Sequence, residues 1–162
     1  MEVSAPQRLD DTHQWASFDC GVESINDYLH RRALKAQQLK HAAVYVVCFA
    51  NSREVAGFYT LSNGSIARAH VAPRRLQRNS PDQHPVTILG RMGVTRQAQG
   101  AGLAVALLQD AIERSLIASE VIGSTALVVH PLDDRLAGFY AKYAGFQYCL
   151  DLSPTTMMLA LR

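Results

Sequence analysis

Apolar residues recur along this chain with two different periods, which together predict a domain that mixes helices and strands. Between residues 22 and 38, apolar side chains such as Ile25 and Leu29 recur at spacings of three and four, which is typical of a helix. This stretch predicts one long helix or two short ones. Residues 42–50 and 55–61 are instead rich in β-branched and aromatic side chains. They predict a hairpin across a short polar loop.

The second half of the chain continues the alternation of strands and helices. Prolines between residues 68 and 85 predict an irregular segment with at most one helical turn. The elements predicted after it are a strand at 86–94, a glycine-containing turn, a helix from about 103, a strand at 126–130, a helix at 133–143 and strands at 146–150 and 156–161. The order α, β, β, β, α, β, α, β, β predicts an α/β (mixed α+β) fold, with a mixed sheet and helices on both faces.

Length and composition agree with one globular domain. The chain has 162 residues, 48% of them hydrophobic and 19% charged. Its longest apolar run, residues 42–50, falls well short of the ~20 residues that cross a bilayer. The N-terminus lacks the basic segment followed by an apolar segment that is typical of a secretory signal. The three cysteines lie far apart in the sequence, which is typical of reduced thiols. We therefore expect a single domain over residues 1–162, located in the cytoplasm and without a membrane span.

The small net charge of +2 hides a strong asymmetry. Residues 30–80 hold nine lysines and arginines against Glu54 alone, a net charge of +8, while the other residues hold seven basic and thirteen acidic side chains, a net charge of −6. Such asymmetry predicts a basic surface that faces a polyanion. The alternative is a solvated face with no partner.

The most informative segment is a glycine-rich turn between the strand at 86–94 and the following helix. In Gln97-Ala-Gln-Gly-Ala-Gly102, the two glycines allow successive N–H groups to converge on an anion at the positive end of a helix. A P-loop would have Lys and Ser or Thr after the last glycine, where this chain has Leu103 and Ala104. A dinucleotide fingerprint would have a third glycine where Val105 lies. The remaining interpretation is an acyl-coenzyme A turn, Gln/Arg-x-x-Gly-x-Gly/Ala.

With this turn the chain resembles the GNAT superfamily of N-acetyltransferases. A second segment, Asp133-Asp-Arg-Leu-Ala-Gly-Phe-Tyr-Ala-Lys-Tyr-Ala-Gly-Phe146, is similar to the family's Asn-x-x-Ala-x-x-Phe-Tyr-x-Lys-x-Gly-Phe. It departs from that pattern at Asp133, at Leu136 and by the additional Ala144. The resemblance implies the GNAT fold, a mixed and mostly antiparallel sheet whose central strands splay apart. It also implies acetyl-CoA as cosubstrate, with no metal.

The resemblance also implies which residues contact the cofactor. The pantetheine arm would pair with the backbone at Met92, Gly93 and Val94, with Gly93 at a bulge, and would approach Asp133. The residues expected to form the diphosphate site are Gln97, Gln99, Gly100, Ala101, Gly102, Leu103 and Ala104.

Tyr140 aligns with the family's general acid, which protonates the departing thiolate, although a tyrosine at this helical position could also simply pack. No general base stands out, because Glu54 is alone in the basic segment and the six histidines lack metal-ligand spacing. We interpret Cys20 as a residue of the core or helix entry rather than a nucleophile.

Three further segments extend the resemblance to a single branch of the superfamily. Phe18-Asp-Cys-Gly-Val-Glu-Ser-Ile-Asn-Asp-Tyr-Leu29, the strand sequence Leu89-Gly-Arg-Met-Gly-Val94 and the closing Thr155-Thr-Met-Met-Leu-Ala-Leu-Arg162 resemble acetyltransferase toxins of bacterial type II toxin–antitoxin systems. The resemblance implies acetylation of aminoacyl-tRNA, a block of translation, a ribbon-helix-helix antitoxin and a homodimer. The candidate tRNA-binding residues are Lys35, Arg74, Arg75 and Arg91.

Two alternatives remain open at the level of sequence. The chain could be an ordinary GNAT enzyme that acetylates a small amine or a peptide N-terminus. It could also be a non-catalytic acyl-CoA-binding module, for which Tyr140 would be dispensable.

Overall fold

The computed structural model describes residues 2–162. The strands are β1 (Gln7–Arg8), β2 (Ala43–Cys48), β3 (Val55–Ala67), β4 (Gln83–Val94), β5 (Ala126–Val129), β6 (Gln147–Tyr148) and β7 (Met157–Ala160). The α-helices are α1 (Glu23–Arg31), α2 (Ala33–Gln38), α3 (Arg74–Gln77), α4 (Leu103–Val121) and α5 (Asp134–Ala144). Short 3₁₀ turns occur at Arg68–His70 and Arg96–Ala98.

The strands form one sheet in the order β1-β2-β3-β4-β5-β7-β6. Strands β4 and β5 pair in parallel, whereas the pairs β1–β2, β2–β3, β5–β7 and β6–β7 are antiparallel. The predicted mixed and mostly antiparallel sheet is thus confirmed. Among residues 2–162, no helix is both long and apolar enough to cross a membrane.

The chain divides into two compact units, and each is described separately below. The first unit comprises residues up to 62 and residues 90–111, and the second comprises residues 63–89 and 112–162. The boundaries fall inside β3, β4 and α4. A single domain over residues 1–162 stays a prediction.

The core of the first unit forms between the N-terminal helices and the β2–β3 hairpin. The predicted helical stretch is two helices, because the backbone leaves helical geometry at Arg32 (φ −126°, ψ −25°). The edge of Phe18 meets the Phe58 ring 5.5 Å away, and the core side chains are Leu9, Phe18, Tyr28, Leu29, Ala33, Val44, Val46, Val55 and Phe58. Burial of these apolar side chains orients α1 and α2.

The second unit has its own core, built from β5, β7 and the segments that flank them. Its buried residues are Ile66, Val71, Leu76, Val86, Ala126, Val128, Cys149 and Met158. Helix α5 is preceded by Asp133, whose Oδ1 accepts the Leu136 N–H at 2.9 Å, and is followed by Gly145 with φ +74°. The helix therefore begins at Asp134, one residue after the predicted start, and Asp133 is its N-cap.

The pairing of β4 with β5 stops at Leu89, before the Met92–Val94 segment that the resemblance assigns to the pantetheine arm. Only Val86–Leu89 pair with Ala126–Val129, and β5 ends there. Strand β4 continues from Gly90 to Val94 without β5 as a neighbour. The side of this segment that faces away from β3 can therefore pair with another extended chain, except at Val94, whose carbonyl oxygen accepts from Gln99 Nε2.

Two buried histidines make the stability of the fold sensitive to acid. Burial lowers the pKa of both His13 and His84 below the ordinary value, and Nε2 of each ring is buried without a hydrogen-bond partner. Arg53 opposes protonation of His13 and Asp10 favours it, while Arg68 opposes protonation of His84. Below pH ~6.5 the unfolded chain therefore takes up protons that the folded chain excludes.

We expect the urea midpoint to fall between pH 7 and pH 5, measured by fluorescence. His84→Gln should show a smaller fall, since it removes one of the two groups. His41→Gln, at an exposed position, is the matched control and should show the full wild-type fall. An equal midpoint at both pH values for the wild type would contradict this account.

Candidate active site

The turn between β4 and α4 has the backbone geometry of an anion-binding loop. Gly100 and Gly102 have φ of +84° and +83°, in the left-handed region that favours glycine. A Cβ at either position would meet no atom within 4 Å. The two glycines are therefore required by the backbone conformation, and the space above them is open to a ligand.

The N–H groups of this turn are available from Gly100 onward. The N–H groups of Ala98 and Gln99 donate to Thr95 O at 2.9 Å and to Arg96 O at 3.2 Å. No hydrogen bond among the described residues uses the N–H groups of Gly100, Ala101 or Gly102. The first turn of α4 adds N–H groups that have no acceptor within the helix. This arrangement fits the diphosphate of acetyl-CoA, although the N–H of Gln99, expected to contribute, is already engaged.

The side chain of Gln99 ties the turn to its surroundings. Its Nε2 donates to Val94 O at 2.9 Å and to Cys20 O at 3.1 Å. Gln97 is exposed and makes no hydrogen bond with the described residues. The glutamine at position 99 thus positions the loop through its side chain.

Helix α1 covers the end of β4 that the sequence assigns to the pantetheine arm. A Cβ at Gly93 would lie 2.9 Å from Ile25 Cγ2, 3.3 Å from Phe18 Cζ and 3.4 Å from Cys20 Sγ. Close packing therefore requires glycine here, in addition to the bulge that the sequence predicts. Burial raises the pKa of the Cys20 thiol, so Cys20 is protonated and packs at the helix entry.

A cation-rich pocket of about 470 Å³ lies in the first unit, beside the same stretch of β4. Its polar lining consists of Tyr28, Arg31, Arg32, Lys35, His41, Thr60, Ser62 and Arg91, and Ala36 and Leu39 contribute apolar wall. Asp27 pairs with Arg31 at 3.2 Å and with Arg32 at 3.7 Å. Among residues 2–162, Lys35 and Arg91 have no carboxylate partner. The pocket therefore carries unneutralised positive charge.

Tyr28 and Arg91 form a stack at the wall of this pocket. The Arg91 guanidinium lies over the Tyr28 ring, 4.1 Å from its centroid, and Phe58 stacks against the ring with centroids 6.4 Å apart. The Arg91 N–H donates to Thr60 Oγ1 at 3.0 Å. The position of Arg91 is thus fixed at both its backbone and its guanidinium.

In the second unit, Tyr140 is a buried phenol in aromatic surroundings. It is 8% exposed, and its ring centroid lies 5.5 Å from those of Phe139 and Phe146. Burial raises the pKa of Tyr140 to about 12, so the phenol keeps its proton at neutral pH. This is the protonation state that a general acid needs.

The four tRNA-binding candidates fall into two groups. Lys35 and Arg91 line the pocket of the first unit, whereas Arg74 and Arg75 lie exposed on the short helix α3 of the second unit. Neither Arg74 nor Arg75 has an ion-pair partner in the described part of the chain.

Sequence reasoning did not select Tyr28, Arg31 and Arg32 as site residues. The available signal was their spacing, because Arg31 and Arg32 precede Lys35 by four and three residues and Tyr28 precedes Arg31 and Arg32 by three and four. It was ambiguous because the same spacing describes a solvated helix face.

The pocket lining contains no carboxylate, and His41 is its one imidazole. Glu54 accepts a hydrogen bond from Ser17 Oγ at 2.6 Å and does not line the pocket. Among the described residues, no group of three or more His, Cys, Asp or Glu side chains could hold a metal ion.

Comparison with known proteins identifies the family. The acetyltransferase (GNAT) family model matches residues 9–146. This chain belongs to the GNAT family. A curated relative, the tRNA-acetylating toxin of Mycobacterium tuberculosis (strain ATCC 25618 / H37Rv), is 41% identical over 152 residues, which is 94% of this chain and 87% of that protein. The predicted N-acetyltransferase is confirmed.

Two solved structures are similar to this chain. AtaT complexed with acetyl-methionyl-tRNAfMet is 26% identical, with a TM-score of 0.90 and coverage of 98% of this chain and 95% of that one. AtaTR bound with AcCoA is also 26% identical, with a TM-score of 0.84 and coverage of 98% and 94%.

Proposed function

We propose that this protein transfers an acetyl group from acetyl-CoA to the α-amino group of aminoacyl-tRNA and thereby blocks translation as a toxin. The observation that carries this proposal is the cation-rich pocket, because its excess positive charge suits a nucleic-acid backbone. The pocket is continuous in sequence with the expected acetyl-CoA strand, since Gly90 and Arg91 line it and Met92 follows. The relative named tRNA-acetylating toxin supports the same substrate.

Acetyl-CoA supplies an activated acetyl group as a thioester. The N–H groups from Gly100 to Ala104 would hold its diphosphate at the start of α4. The backbone of Met92, Gly93 and Val94 would pair with the pantetheine arm, and an N–H at or near Met92 would polarise the thioester carbonyl. Asp133 already caps α5 with one carboxylate oxygen and would contact the arm only through the other.

The amine attacks the thioester carbonyl carbon, so a C–N bond forms while the C–S bond breaks. The electron pair of the broken bond stays on sulfur, and Tyr140 protonates that thiolate. The α-amino group of an aminoacyl ester has a low pKa and is substantially neutral near pH 7. Water can therefore accept the amine proton, which agrees with a pocket lining that contains no carboxylate.

The apolar surroundings of Tyr140 make its phenol a weaker acid, so proton transfer depends on a leaving thiol whose pKa is raised as well. An ordinary thiol has a pKa of about 8.5, far below a phenol at about 12. Burial raises the pKa of the Cys149 thiol in the same unit to about 11. A thiolate that leaves in comparably apolar surroundings would approach the pKa of Tyr140 and accept its proton with little cost.

The proposed partners follow from the same assignment. We propose a ribbon-helix-helix antitoxin as the neutralising partner and a homodimer as the assembly, as the resemblance to toxins of type II systems implies. Co-expression of such an antitoxin with this protein should restore the growth of the cells that express it.

The experiment that tests the function is incubation with acetyl-CoA and total charged tRNA, followed by mass spectrometry of the released aminoacyl adenosine. We expect one or a few aminoacyl adenosines to gain an acetyl group. Acetylation of free amines or peptides without any on charged tRNA would overturn the assignment and support an ordinary GNAT enzyme. Binding of acetyl-CoA without any transfer would support the non-catalytic module.

Charge reversal on α3 tests its role in tRNA binding. We expect Arg74→Glu with Arg75→Glu to raise KM for charged tRNA about 10-fold at 150 mM salt and to flatten its salt dependence, because two phosphate contacts are lost. The Kd for acetyl-CoA, measured by calorimetry, should not change. The matched control, Lys142→Glu with Arg162→Glu, reverses two exposed charges elsewhere. Wild-type KM in the α3 variant would exclude this helix from substrate binding.

A further inference from the structure

Arg91, which lines the cation-rich pocket, packs over an aromatic ring in addition to carrying a positive charge. Arg91 lies over the ring of Tyr28, which is 6% exposed, with Arg32 farther from the same ring at 5.9 Å, and the tyrosine ring also stacks with Phe58. Arg91 nevertheless remains exposed. One side of its guanidinium is therefore covered by an aromatic ring, while the other side is accessible from the pocket.

This backing restricts the motion of an otherwise flexible side chain. A guanidinium over an aromatic face is attracted by the ring quadrupole, and the Arg91 N–H is held by Thr60 Oγ1. Since the side-chain entropy is already reduced, a planar ligand that stacks on Arg91 has less ordering to impose. Lys35, by contrast, contributes only a mobile point charge.

We propose that Arg91, backed by Tyr28, is the stacking platform for one unstacked base from the single-stranded 3′ end of the tRNA. Arg31, Arg32 and Lys35 then neutralise the flanking phosphates. Unpaired bases of RNA commonly stack on arginine guanidinium planes. A cavity of about 470 Å³ lies in the size range of sites for single small ligands, which is consistent with entry of one nucleotide. This inference rests on the proposed function and assigns the positioning role to Arg91 and Tyr28.

The first test removes a base while keeping every phosphate. The probe is an uncharged RNA hairpin with a four-nucleotide single-stranded 3′ end, labelled at its 5′ end, and binding is followed by fluorescence anisotropy. Four further hairpins each carry one abasic nucleotide in the 3′ end. We expect one of these positions to weaken binding to the wild type about 10-fold. Equal affinity for all five hairpins would overturn the platform.

The second test separates stacking from charge. Arg91→Lys keeps the charge and loses the planar group, so we expect a Kd for the intact hairpin about 10-fold weaker with an unchanged salt slope. In this variant the critical abasic hairpin should bind as well as the intact one. Lys35→Gln should instead lower the salt slope by about one and retain the discrimination against the abasic hairpin. Wild-type affinity and discrimination in Arg91→Lys would contradict the proposal.

The third test addresses Tyr28. Tyr28→Phe retains the ring and should preserve KM for charged tRNA. Tyr28→Leu should raise KM about 10-fold with little change in kcat, and should add nothing in an Arg91→Lys background. Additive effects would show that Tyr28 acts independently of Arg91. Acetylation of charged tRNA by the wild type is measured first, so that failure of the proposed function is distinguished from failure of the platform.

Discussion

Tyr140→Phe is expected to lower kcat for acetyl transfer by 10²-fold or more, the lower end of what a positioned general acid contributes. Phenylalanine retains the ring that packs between Phe139 and Phe146 and removes only the hydroxyl proton. Without that proton, the thiolate leaves unprotonated or takes a proton from water. Initial rates at saturating acetyl-CoA and charged tRNA measure the effect.

The Kd for acetyl-CoA and the thermal midpoint should change little in this variant, because the packing is preserved. Tyr143→Phe is the matched control, since Tyr143 lies on the same helix but is 49% exposed. We expect wild-type kcat for this control. Wild-type turnover in Tyr140→Phe would remove Tyr140 from the mechanism and leave it a core residue.

Replacement of both Gly100 and Gly102 by alanine is expected to raise the Kd for acetyl-CoA at least 10-fold. An L residue in the left-handed region costs about 1–2 kcal/mol, so the variant loop would favour another conformation in the free protein. The N–H groups would then have to return to the binding conformation when acetyl-CoA binds, and the free energy of this change would weaken the binding. Calorimetric titration with acetyl-CoA measures the loss.

Gly123→Ala is the matched control for this pair, since a Cβ at Gly123 would also meet no atom within 4 Å and its φ lies outside the left-handed region. We expect it to retain wild-type affinity. If the double variant also retained wild-type affinity, the diphosphate would be held elsewhere. A large fall in thermal midpoint with unchanged affinity would give the glycines a purely structural role.

The elements with strong periodicity were predictable from local sequence. The β2–β3 hairpin and the passage from β4 through the glycine turn to α4 have the expected order. Strand β3 runs to Ala67, past the predicted end at residue 61. The prediction stopped early because the last residues of the strand, which belong to the second unit, lack the dense apolar pattern of its start. Strand β1 has only two residues, and its pairing with β2 is a long-range contact without a local signal.

The candidate site likewise combines features that local sequence predicts with features that depend on tertiary packing. Gly100 and Gly102 were recognisable because a turn with positive φ restricts residue type locally. The bulge at Gly93 stays a prediction, and the close approach of Gly93 to Ile25 depends on how α1 packs on β4. Arg31 and Arg32 were visible as charge and became part of a site only through the pocket that they line with Arg91.

By itself, the sequence determined the family, the glycine turn before α4 and the concentration of positive charge between residues 30 and 80. These depend on residue type at short spacing, where backbone geometry and charge act locally. Only the tertiary structure decided that Arg91 stacks on Tyr28, that Lys35 shares its pocket, and that Arg74 and Arg75 lie in the other unit. The first two of these relations join residues more than 50 positions apart, and packing of the core fixes them.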